Sequence, residues 1–229
     1  MPAALRPFRM LAATVVASLT VTGCQAMDDA ATALDRSDLV NDLAARMDEA
    51  LVGTWTAEYQ LADGGTASIA QARKPLRATY TWPAGKITVT QDALTRCETA
   101  AGRTACTVLP PVATAGTPSV PVYAEAAERG LVTPPGVIRL LTDAALDSDA
   151  TITQSDTTVA GRPATCVDVR HTAGDFSACV TNEGVLGSFA GTLAGRATEL
   201  TLSRWTETID PAVFEPPAGA DVTDRRTTS

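Results

Sequence analysis

The stretch Arg77-Ala78-Thr79-Tyr80-Thr81-Trp82, Pro83-Ala84-Gly85, Lys86-Ile87-Thr88-Val89-Thr90 decides the fold. On both sides of the Pro–Ala–Gly stop, side chains alternate with a period of two, as they do in half-buried strands joined by a tight turn. The rhythm continues upstream. Trp55-Thr56-Ala57-Glu58-Tyr59-Gln60-Leu61 alternates, Asp63-Gly64-Gly65 signals a hairpin, and residues 66–73 return. Downstream, residues 95–108 fold back around Ala100-Ala101-Gly102-Arg103. Strands this close in sequence leave no room for crossover helices, so the first half reads as an antiparallel meander.

Residues 109–121 break the pattern with prolines, which suit neither a helix interior nor a central strand. A surface loop leading into helices is expected there. Residues 122–129 then form a short helix, and Thr133-Pro134-Pro135 opens a second that runs to Leu146, with Val137, Leu140, Leu141 and Ala144 as its apolar face. Strands resume at residues 151–159, 162–171, 175–181 and 185–190, separated by Ala160-Gly161, Thr172-Ala173-Gly174 and Asn182-Glu183-Gly184. A last strand spans residues 198–208, with Leu200, Leu202 and Arg204 on one face and Thr201, Ser203 and Trp205 on the other. The proline-rich end reads as an extended edge segment pinning Phe214 to the core, and residues 223–229 as a disordered tail.

The amino-terminal region has a different character. Arg6 and Arg9 precede an apolar run over residues 10–21, too short for a permanent membrane span but suited to a secretory leader. The expected organisation is therefore a signal peptide over residues 1–23, an acylated mobile tether over 24–36, one domain over 37–222 and the tail. The domain begins with a helix from Ser37 to about Leu51, whose stripe is Leu39, Val40, Leu43, Met47 and Leu51. The chain carries 18 basic and 26 acidic residues, and losing Arg6 and Arg9 with the leader takes the net charge from −8 to −10. That balance argues against nucleic acid as a partner. It also opposes electrostatic docking on anionic lipid, so contact with a membrane must come from acyl chains.

Of the five cysteines, Cys24 follows the leader and the other four lie in the strands. Four cysteines allow three pairings. Cys97 with Cys106 and Cys166 with Cys179 are favoured, because each pair brackets a strand–turn–strand. The rival, a four-cysteine zinc site, lacks any C-x-x-C and suits an oxidising exterior poorly.

Catalytic signatures are sparse. His171 is the one histidine and sits beside a turn. No G-x-S-x-G, H-E-x-x-H or glycine-rich phosphate loop occurs. Asp147-Ser148-Asp149 lacks the rest of a calcium loop and reads as a helix end. Carboxylate pairs of the glycosidase kind stay open, since sequence does not give distances. The expectation is a non-enzyme without cofactor or metal. The aromatics cluster: Trp55, Tyr59, Tyr80 and Trp82 in the early strands and Trp205 in the last. They either fill a sheet–helix core or line a cavity for an apolar ligand.

Two resemblances bear on these expectations. Val21-Thr22-Gly23-Cys24 resembles the lipobox of bacterial lipoproteins, which implies acylation of Cys24 and residence at the extracytoplasmic face of the cell membrane. The order of elements resembles the LolA/LolB-like carrier fold of LppX- and LprG-type lipoproteins and RseB-type sensors. The carrying residues are Leu131-Val132-Thr133-Pro134-Pro135-Gly136, residues 159–167, Cys179 to Leu186 and Asp210-Pro211-Ala212-Val213-Phe214 with the following Glu-Pro-Pro-Ala-Gly. Uncharacterised actinobacterial envelope lipoproteins are similar in these motifs. The likeness implies an α+β fold, a curved antiparallel half-barrel sheet with helices packed on its concave side. It implies binding of a lipid, glycolipid or acyl chain in the half-barrel cavity, or an alternative role as a non-catalytic envelope sensor contacting another protein. The chain is expected to act as a monomer.

Overall fold

The computed structural model describes residues 22–111 and 118–226, with side chains from Leu34 onward in the first helix. Its elements run α1 (Thr22–Ala50), β1 (Trp55–Leu61), β2 (Thr66–Arg73), β3 (Leu76–Trp82), β4 (Gly85–Val89), β5 (Leu94–Ala100) and β6 (Arg103–Leu109). These are followed by α2 (Val120–Glu128), α3 (Pro134–Leu146), β7 (Thr151–Val159), β8 (Arg162–Arg170), β9 (Phe176–Thr181), β10 (Leu186–Leu193), β11 (Arg196–Thr206), a 3-10 turn (Pro211–Phe214) and β12 (Asp221–Asp224). The strands form one sheet in the order β12-β6-β5-β4-β3-β2-β1-β11-β10-β9-β8-β7. Two meanders meet where β1 pairs antiparallel with β11. The chain must therefore travel from β6, near one edge, to β7 at the other, and α2 and α3 make that journey across the concave face. The expected α+β half-barrel architecture is the one observed.

Turn chemistry accounts for the tight hairpins. Ala101-Gly102, Ala160-Gly161 and Ala194-Gly195 all place both residues at positive φ, the requirement of a two-residue turn that matches strand twist. The last of these hairpins departs from expectation. β10 runs on through Gly191 to Leu193, and β11 begins at Arg196 rather than 198.

The core lies between helices and sheet. Leu43 and Met47 of α1, Val137 and Leu141 of α3, and Ile87, Val89, Val167 and Val180 of the sheet are fully buried. Both disulfides, Cys97–Cys106 and Cys166–Cys179, join directly opposed residues of neighbouring strands. Alternation from the inward-facing Arg96, bound to α2, and Val167 puts both bridges on the convex face.

Four expectations are corrected. Residues 24–36 are helical rather than a mobile tether: α1 begins at Thr22, because Ala-rich sequence without Gly or Pro continues the helix. Phe214 is buried, but on the convex side, where the Arg77 guanidinium lies 4.2 Å from its ring and Lys86 Nζ donates to the Glu215 carbonyl at 2.6 Å. The tail is ordered further than expected, since β12 adds in parallel to β6 and Arg225 N–H donates to the Val108 carbonyl at 2.8 Å. Trp205 does not share a face with Thr201. A bulge leaves Ser203 unpaired between Arg204↔Glu58 and Leu202↔Tyr59, and the extra residue turns Trp205 toward the core side. The expected leader falls outside the described residues except for Thr22 and Gly23, as do residues 227–229 of the tail and residues 112–117 of the proline loop.

Candidate functional site

The five aromatics do not line one cavity. Tyr59 and Tyr80 are 1% exposed, and Trp55 and Trp82 are 5% and 6% exposed, all packed in the central core. Burial drives the phenol pKa of both tyrosines well above its ordinary range. Trp205 is half-buried against the same core. The rings therefore fill the space under the helices.

The apolar concavity lies elsewhere, at the helical lid. A groove of about 390 Å³ opens between α2, α3 and the tip of the β10–β11 hairpin. Its walls include Tyr123, Ala124 and Ala127 from α2, Pro135 and Gly136 from α3, and Leu193 and Ala194 from the hairpin. Sequence reasoning missed it because residues 191–197 were read as a connection. The signal was present: Ala194-Gly195 repeats the dipeptide that turns the other two Ala–Gly hairpins.

Each wall is held differently. Tyr123 stands edge-on to Tyr80, ring centroids 6.2 Å apart. Arg196 Nη1 donates to the Glu128 carbonyl at 2.9 Å, tying the hairpin to the end of α2. α2 itself buries only Val122 and Ala126, and ion pairs fasten it to β5: Arg96 to Glu125 at 2.7 Å and Arg129 to Glu98 at 2.8 Å. Such partly exposed pairs contribute little, about 0–1 kcal/mol each. α2 is thus a lightly held wall.

Gly136 is informative. A Cβ there would meet nothing nearer than Thr133 Oγ1 at 3.5 Å and Leu193 Cδ1 at 3.7 Å. Neither backbone nor space demands glycine, and alanine would favour the helix by about 1 kcal/mol. Its effect is to keep the groove floor low.

His171 lies at another corner. Its Nδ1 accepts from Ala173 N–H at 3.1 Å, which leaves the proton on Nε2, 3.0 Å from Asp147 Oδ2. Asp147 caps α3, and its Oδ1 accepts from Asp149 N–H at 2.9 Å, so this acidic pair is a helix end. No group of three metal-ligating side chains occurs among the described residues. No helix among them is long and apolar enough to cross a membrane.

No protein family and no curated protein matches the chain. Among solved structures, it is similar to an uncharacterized conserved protein from Thermus thermophilus, with 10% identity and a TM-score of 0.46, over 81% of this chain and 98% of that one. It is also similar to MucB, with 15% identity and a TM-score of 0.46, over 80% of this chain and 64% of that one. MucB in complex with MucA(peri) matches at 15% identity and a TM-score of 0.41. The chain spans somewhat under two thirds of MucB. No residue role follows from likenesses of this size.

Proposed function

We propose that this chain is a non-catalytic envelope lipoprotein, held at the extracytoplasmic face of the cell membrane by acylated Cys24. As a monomer, it binds one apolar chain of a lipid or glycolipid in the α2–α3 groove. The observation that carries the ligand is the groove itself, walled by small and apolar side chains and kept open by Gly136. Its size lies at the low end of small-molecule sites, which suits a single hydrocarbon chain rather than a helix. The proposed anchor follows from the lipobox resemblance. With α1 helical from Thr22, the stretch from Cys24 to Arg36 becomes a stalk about 18 Å long rather than a tether.

A second reading, a sensor whose groove takes an apolar side chain of another envelope protein, is favoured by Val120, 80% exposed at the groove mouth. Native mass spectrometry of the protein from membranes separates the two. A bound lipid beyond the mass of the acylated cysteine supports the first reading; a co-purifying protein with no lipid supports the second. Replacing Cys24→Ser should release the protein into the medium, and retention on membranes contradicts the anchor.

A further inference from the structure

A second groove, sharing no lining residue with the first, lies where the end of α1 meets the sheet. About 540 Å³ in volume, it is bounded by Arg46 and Glu49 of α1, Trp55 at the start of β1, Asn182 and Glu183 of the β9–β10 turn, and Trp205 and Glu207 at the end of β11. The bulge at Ser203 creates it, by turning Trp205 to the same side as Trp55.

Its polar groups are in surplus over what the fold uses. Arg46 Nε, Glu183 Oε2 and Trp205 Nε1 are buried without hydrogen-bond partners among the described residues, and all three side chains border this groove. A buried polar atom left unpaired costs about 1–3 kcal/mol, so three around one concavity call for a partner. Glu49, Asn182 and Glu207 are exposed, and their side chains make no hydrogen bond or ion pair among the described residues. The walls, by contrast, are fixed. Trp55 Nε1 donates to the Ala50 carbonyl at 2.8 Å, Arg162 Nη1 donates to Glu183 Oε1 at 2.9 Å, and the Arg162 guanidinium lies 4.3 Å from the Trp205 ring centroid.

We infer that this groove binds a neutral saccharide unit. Two guanidinium donors, an amide and three carboxylates alternate around the indole edges, a set that matches vicinal hydroxyls in both donor and acceptor sense. An anion would meet Glu49, Glu183 and Glu207. A cation would need the Trp205 face, which Arg162 already covers. A peptide pairing through its backbone would need a free strand edge, and β1, β9, β10 and β11 are all paired on both sides. The inference does not rest on the apolar groove.

The test titrates the full chain with soluble tetrasaccharides of glucose, mannose and N-acetylglucosamine, following the fluorescence of the three tryptophans. Choline and tetralysine serve as cationic comparators. Saturable binding of at least one tetrasaccharide is expected. Glu207→Gln and Asn182→Ala should each weaken it at least about fivefold, equivalent to losing one hydrogen bond, with an unchanged denaturation midpoint. Gly136→Leu should leave it intact. No saturable response to any tetrasaccharide overturns the inference, as does binding indifferent to Glu207→Gln and Asn182→Ala, or binding of the cations alone.

Discussion

Gly184 lies directly against the carbonyl of Arg46: a Cβ on the glycine would stand 1.9 Å from that oxygen and 3.2 Å from the Ala50 side chain. The β9–β10 turn is therefore the seat on which the last turns of α1 rest, and Gly184 also has a φ of +77°. Gly184→Ala meets both a backbone clash and a strained conformation. Gly161→Ala, at a φ of +75° with nothing within 4 Å, meets only the strain. Urea denaturation should show about 1 kcal/mol lost for Gly161→Ala and more than about twice that for Gly184→Ala. Equal losses would mean that α1 does not seat here.

The two disulfides should matter comparably. Their cysteines are separated by 9 and 13 residues. In the chain-entropy account such loops stabilise by about 3 kcal/mol each. Denaturation of Cys97→Ala/Cys106→Ala and Cys166→Ala/Cys179→Ala should each show a loss of that order. Peptide mapping should recover only these two linkages.

Arg36 joins the long helix to the far end of α3. Its Nη1 donates to the carbonyls of Asp147 at 3.3 Å and Ala150 at 3.0 Å, groups left open where α3 ends. Arg36→Ala should cost about 1–2 kcal/mol and speed amide exchange around residues 144–150. Unchanged exchange there would show that the contact does not hold the two helices.

Alkaline stability should report on Tyr59 and Tyr80. Their folded pKa values lie above the ordinary value of 10.0 because burial disfavours the phenolate. Their contribution is full below pH 10 and is lost as pH rises toward the folded values. Lys86 has the opposite sign: burial lowers its pKa from 10.5, so its contribution grows with pH only up to that value. Between pH 10.5 and the folded tyrosine values, stability should fall, and Tyr59→Phe should flatten the fall by about 1.4 kcal/mol per pH unit. A slope unchanged in Tyr59→Phe contradicts the assignment.

Much of this architecture was legible because period-two alternation and turn dipeptides act locally. The strands around Tyr80 and Ile87, the cysteine hairpins and the proline-opened α3 needed only short-range rules. What escaped depended on pairing across the sheet. The bulge at Ser203 is set by the β1–β11 register, and strict alternation assigned Trp205 to the wrong face. β12 pairs with β6, over a hundred residues away, and no local signal marks it. The aromatic cluster was visible, but whether rings fill or line a space depends on how deeply α1 and α3 settle. The groove that does open was hidden by reading Gly191 as a stop.

The most direct measurement is a titration with cis-parinaric acid, whose fluorescence rises on entering an apolar site, comparing the native chain with Gly136→Leu. The native chain should bind it saturably, at one site. Gly136→Leu places its side chain toward Leu193 and plugs the groove, while replacing a helix glycine should leave stability equal or higher. Binding should then fall by at least about tenfold, a loss of about 1.4 kcal/mol. A stable Gly136→Leu protein that binds the probe as well as the native chain, or a native chain that does not bind it, contradicts the account.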